Sequence, residues 1–236
     1  MALNAKKIKH TGAGNGPKQK PIDAGTYPGR LVQVLDMGIQ AQQEYQGKPK
    51  PPVQEIMLTY EFLDEFCVDE NGEELSDKPR WLSEVIPLHN LKADKAKSTQ
   101  RYYALDPKEE KEGDFTLLTD TPCNIVVTQK PKGDRVYNNI SGVSTMRPKE
   151  AANAPSLVNP PKVFVLDNPD MEVFLSLPEW VQDKIKANLE FEGSLLQSLL
   201  SGGKVADKAA PKKEEEESPE EEENVGEETN DDEGVW

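Results

Sequence analysis

Three short stretches of this 236-residue chain combine cations with aromatic rings, at spacings suited to a polyanion that carries flat bases. "QAQQEYQGKPKPP" holds Tyr45, Lys48 and Lys50, and "QKPKGDRVY" holds Lys130, Lys132, Arg135 and Tyr137. A third, "PRW", sets Arg80 directly before Trp81. Lysine and arginine can follow a phosphate backbone, while a tyrosine or tryptophan ring can carry a base at ~1–3 kcal/mol per stack. Ordinary solvated loop charges would also explain Lys48, Lys50, Lys130 and Lys132. Trp81 and Tyr60 suit a core as well as a ligand face.

Chemistry of other kinds finds little support. The two histidines, His10 and His89, stand alone in the sequence. No Gly-rich loop ends in Lys-Ser or Lys-Thr, and neither Gly-x-Ser-x-Gly nor HExxH occurs. Asp64, Glu65 and Asp69 read as solvated charges at a strand end and a turn. "DENGEE" is not an EF-hand, because Gly72 stands fourth after Asp69 rather than sixth; an Asn71-Gly72 hairpin turn fits it better. Cys67 and Cys123 are too few for a four-thiolate zinc site and, in apolar runs, read as buried free thiols of a reducing cytoplasm. The sequence therefore predicts a protein that is not an enzyme, with no cofactor and no metal.

The elements that must position these residues follow from hydrophobic period. Residues 1–22 lack any period and carry Lys6, Lys7, Lys9, Lys18 and Lys20 with no acid before Asp23, so a flexible basic arm is expected. Gly25 and Gly29 frame a first strand, with Val32 and Val34 on one face and Leu31, Gln33 and Leu35 on the other. A long polar loop follows. In "VQEIMLTYEFLDEF", Ile56, Leu58, Tyr60 and Phe62 share one face, and Met57, Thr59, Glu61 and Leu63 the other. A third strand alternates Trp81, Ser83 and Val85 against Leu82, Glu84 and Ile86. The period then becomes helical from Leu91 to Leu105, ending at Asp106-Pro107. Lys97 and Arg101 read as its solvent face, and of Tyr102 and Tyr103 at most one can point centrally inward. Two further strands carry Cys123, Ile125 and Val127, then Val136, Asn138 and Ile140.

The resulting order, three strands, a helix and two strands, is that of the OB-fold, a five-stranded, partly open barrel. The barrel is expected over residues 23–147, followed by a linker and helical extension over 148–203. There "VFVLD" reads as a short added strand, and Pro178 opens a helix whose Val181, Ile185 and Leu189 form an i, i+4, i+8 stripe. That stripe either packs on the parent domain or forms a homo-oligomer interface. Residues 204–236 are expected to be a disordered acidic tail.

Formal charge is −15, with 28 basic and 43 acidic residues. From Glu214 onward there are 13 acids and no Lys or Arg, so residues 1–213 come to −2. Charge blocks of this kind serve as interaction tails. No apolar run approaches the ~20 residues of a membrane span, and no signal peptide is recognisable. A cytoplasmic protein is expected.

"AGTYPGRLVQVLDMG" followed by "EIMLTYEFLDEF" resembles the opening of bacteriophage single-stranded DNA-binding proteins of OB-fold type. "NDDEGVW" is similar to the acidic tips of bacterial and phage single-strand binders, although those of bacteria end in Pro-Phe. The resemblance covers about residues 23–146 and the tail. It implies coating of single-stranded DNA during replication or recombination in the cytoplasm of an infected cell. In that reading, exposed faces of the second and third strands and the loops joining strands one to two and four to five hold the ligand. The tail would compete with nucleic acid and recruit a polymerase, a helicase/primase or a recombinase through Asp231, Asp232, Glu233, Val235 and Trp236. Two rivals remain open: a transcription cofactor that recruits a polymerase to melted promoters, and an acidic-tailed interaction protein that ignores DNA.

Overall fold

The alternation in the second strand decides the architecture, because a strand apolar on both faces needs a layer on each. A computed structural model describes residues 19–44 and 47–203. The chain divides into two units, 1–204 and 205–236, of which the second lies outside the described residues, as does nearly all of the basic arm. The first unit is mainly β with short helices.

β1 (Gly25–Gln40), β2 (Val53–Val68), β3 (Glu74–Pro87), β4 (Pro122–Lys132) and β5 (Arg135–Thr145) form an open antiparallel sheet in the order β3-β2-β1-β4-β5. A sixth strand, β6 (Lys162–Phe164), runs parallel to β1 at Gln33–Leu35. It takes up the edge of β1 just beyond Arg30, where β4 stops. The outermost strands β3 and β5 approach within 8 Å between Cα atoms, yet no ladder joins them.

The inner face of the sheet encloses the first core. Ile56, Leu58, Tyr60 and Phe62 of β2 meet Leu31, Val34, Ile86, Ile125, Val127 and Ile140 there, and Cys123 is buried among them. Burial pushes the Cys123 thiol up to about 12, so it stays protonated and inert. Cys67 is also a free thiol but only half-buried.

β1 departs from the alternation expected of it. Its register against β2 slips between Leu31 and Gln33, so Val32 is a bulge residue. The bulge inserts one residue and reverses facing. Leu31 and Val34 therefore share the inner core, while Leu35 and Met37 turn outward. A second slip precedes Gly38, whose φ of +72° places it in the left-handed region. A Cβ there would come within 2.7 Å of the Asn188 side chain.

Leu35 and Met37, with Met57 of β2, open a second core on the outer face. The C-terminal extension covers it with Phe164 of β6, Phe174 and Leu177 around α3 (Met171–Ser176), Val181 and Ile185 of α4 (Glu179–Lys186), and Leu196 of α5 (Leu195–Leu200). Asp170 caps α3 and Ser194 caps α5 through side-chain acceptors. The expected stripe is thus two-thirds core: α4 ends at Lys186, and Leu189 beyond it is exposed.

The helix before β4 is shorter than its period suggested, with α1 spanning Lys97–Leu105 and turns replacing residues 91–96. The face expected to meet solvent is instead turned to Glu84 of β3. Arg101 is 2 % exposed and donates from Nε to Glu84 Oε1 at 2.6 Å, while Lys97 Nζ lies 2.6 Å from Glu84 Oε2. Glu84 points inward from β3, where an unpaired charge would be costly, so the helix supplies both cations. Tyr102 is the central tyrosine; its hydroxyl donates to Asp106 and accepts from the Gly113 amide.

Candidate nucleic-acid interface

The β4–β5 hairpin brings four of the sequence-selected residues onto one surface. Gly133, at φ +60°, takes the first central position of a two-residue turn, where only glycine is unstrained. Lys132 then pairs with Arg135, and Lys130 with Tyr137. Because Ile125, Val127 and Ile140 point inward, the period of two sends Lys130, Lys132, Arg135 and Tyr137 outward together. All four are exposed.

The inner side of the same hairpin is fastened by the chain entering β1. Ile22 donates its amide to Asn138 Oδ1 at 2.8 Å, and its carbonyl accepts from Asn138 Nδ2 and Gln129 Nε2. Three residues earlier, Gln19 exchanges two hydrogen bonds with the backbone of Val68. Arg80 Nη2 donates to the Lys20 carbonyl at 2.7 Å. Residues 19–22 therefore strap the β2–β3 hairpin to the β4–β5 hairpin.

Arg80 and Trp81 do not act as a pair, since neighbours in a strand face opposite ways. Arg80 is turned to the strap. Trp81 is on the outer face, 38 % exposed, and donates from Nε1 to Glu61 Oε2 at 2.9 Å. Tyr60, by contrast, is fully buried in the inner core. Lys48 and Lys50 are exposed in the β1–β2 loop, at the opposite end of β1 from the β4–β5 hairpin. The two loops therefore stand at opposite ends of β1. Tyr45 lies outside the described residues, as do Asp231, Asp232, Glu233, Val235 and Trp236.

Much of the outer face of β1–β2–β3 is occupied. Leu35, Met57 and Val85 stand in register there under the extension, and the next row holds Gln33, Thr59 and Ser83. The row after that is Arg30, Glu61 and Trp81. Across it lies the segment following α2 (Pro148–Ala151). Arg30 donates to the carbonyls of Ala154 and Pro155 and to Asp120. Glu61 accepts from the Val158 amide and Asn159 Nδ2, both at 2.7 Å. Neither Arg30 nor Glu61 was singled out from the sequence as a site residue.

Charge divides the hairpin end. Burial raises the pKa of Asp64, and burial with the nearby Asp64 raises that of Glu65. Tyr27 is raised as well, by burial first and then by the field of Glu65, Asp23 and Asp64.

Among the described residues, no cluster of three or more His, Cys, Asp or Glu is arranged to hold a metal ion, and no helix is long and apolar enough to cross a membrane. The chain matches no model of a known protein family and no curated protein.

Proposed function

We propose that this chain is a single-stranded DNA-binding protein on an OB-type barrel, coating DNA during replication or recombination in a phage-infected cell. The observation that carries the reading is the β4–β5 hairpin, which sets Tyr137 among Lys130, Lys132 and Arg135 on one outward face. The strand order supports it: β3-β2-β1-β4-β5 is the order of that barrel opened between β3 and β5, with α1 between β3 and β4 in sequence. The resemblance of residues 23–146 to phage single-strand binders adds the biological setting. The acidic segment from Glu214 onward tempers DNA binding and recruits partner proteins of the replication or recombination machinery.

The test is a fluorescence titration of the full chain with oligothymidine, duplex DNA and RNA at two salt concentrations. Binding to the single strand that weakens with salt supports the proposal. No response to any of the three sinks it. One observation favours the rival interaction protein: the extension covers much of the outer β1–β2–β3 face, the surface that such barrels offer to bases. A chain of that kind would bind basic proteins in the same assay and leave the oligonucleotides free.

A further inference from the structure

One ring on the outer face is both half-open and held in place. Trp81 gives its indole N–H to Glu61, and Glu61 is itself only 1 % exposed. That carboxylate also accepts from the Val158 amide and the Asn159 side chain, so its three hydrogen bonds come from β3 and from the extension. An apolar residue would be the cheaper occupant of this outward position, since a buried carboxylate must be fully hydrogen-bonded to be tolerated. Met57, four residues earlier on the same face, shows that alternative. Arg30, in the same row, is engaged by Ala154, Pro155 and Asp120. Trp81 is therefore the member of this row left with a substantially open surface.

We infer that Glu61 is the positioning residue of a stacking platform: it fixes the Trp81 indole so that the ring accepts a nucleobase, and Val158 and Asn159 complete its grip. The inference rests on the single-strand-binding reading and adds a residue and a segment to it. A ring already fixed loses less rotamer freedom when a base stacks on it, which is worth about 2- to 12-fold in affinity. Stacking is not a phosphate contact, so the gain is expected in the salt-independent part of binding. It leaves the slope of log affinity against log salt unchanged.

The experiment measures binding of the full chain to a labelled oligothymidine of about 16 nucleotides, long enough for one barrel, across a salt series. Glu61→Met, which offers the indole no oxygen acceptor, is expected to weaken the constant extrapolated to high salt by about 2- to 12-fold, with the slope kept. In a Trp81→Ala background the same substitution is expected to change nothing further. Trp81→Phe keeps a ring but lacks the N–H, so it should reproduce the Glu61→Met loss, and it serves should Glu61→Met fail to fold. Equal losses from Glu61→Met with and without Trp81 would assign Glu61 to the fold alone and overturn the inference. Wild-type affinity in Trp81→Phe would do the same. An unaltered chain that ignores the oligonucleotide overturns the single-strand reading as well, which separates the two failures.

Discussion

Lys130 and Tyr137 stand directly opposite each other across the β4–β5 ladder, and the next outward pair is Lys132 and Arg135. Cation and ring are thereby held at cross-strand distance, close enough for one nucleotide to meet both. Their contributions should separate cleanly. Tyr137→Ala is expected to cost about 1–3 kcal/mol of single-strand affinity with the salt slope unchanged. Lys132→Ala should instead reduce the slope by about 0.7, the value of one lost phosphate contact on a single strand. Anisotropy titrations over a salt series read both quantities. A slope change from Tyr137→Ala with no loss at high salt would contradict the stacking role.

Lys48 and Lys50 lie at the other end of β1 from this hairpin, which makes their effect depend on ligand length. A joint Lys48→Ala and Lys50→Ala variant is expected to bind oligonucleotides of about 4 nucleotides as the unaltered chain does. It should weaken on those near 16, the upper range for one barrel. Equal weakening at both lengths would mean that the two loops share one short site.

The sequence made the inner core legible because β2 obeys a strict period of two, and Ile56, Leu58, Tyr60 and Phe62 do line it. It also marked the hairpin, since glycine between Lys132 and Asp134 leaves few turn geometries. Three features stayed hidden for physical reasons. The Val32 bulge reverses the facing of Leu35 and Met37 without altering the residue pattern. Arg101 looks like any solvated helical cation until Glu84 is known to point at it. The role of Glu61 depends on Val158 and Asn159, nearly a hundred residues away, so nothing local to β2 announces it.

The Glu84–Arg101 pair is buried on both sides, so stranding one partner should cost more than removing both. Arg101→Met leaves Glu84 with Lys97 alone and is expected to destabilise the chain by about 3 kcal/mol. Replacing Glu84 and Arg101 together by Met should cost less than the single change, because no buried charge is then stranded. Urea denaturation of the two variants and the unaltered chain measures this. A double variant less stable than Arg101→Met would show that the ion pair itself supplies the stability.

Acid should act partly through Asp106. Burial alone would raise its carboxyl, but the amides of Lys111 and Glu110 and the Tyr102 hydroxyl outweigh that and hold it below its ordinary value of 3.8. A carboxyl depressed by folding contributes stability above its unfolded value, and loses it as pH falls through the folded one. Asp106→Asn is therefore expected to lower the melting temperature at neutral pH, with the gap to the unaltered chain closing below pH 3.8. A gap that persists unchanged into stronger acid would remove the charged form from the account.

In the proposed reading, the 13 acids that follow Lys213 would oppose the approach of a second polyanion to a body of near-neutral charge. Attached to the chain, they would act at an effective concentration that a dilute oligonucleotide cannot match. Deleting residues 214–236 should therefore tighten single-strand binding at low salt. The gain should fade toward molar salt, where the Debye length falls to about 3 Å. Trp236→Ala keeps every acid and should leave the affinity as it was, so any loss of a protein partner in that variant is attributable to the ring. Unchanged or weaker binding by the deletion at low salt would end the electrostatic account, and the acidic segment would then have to act through proteins alone.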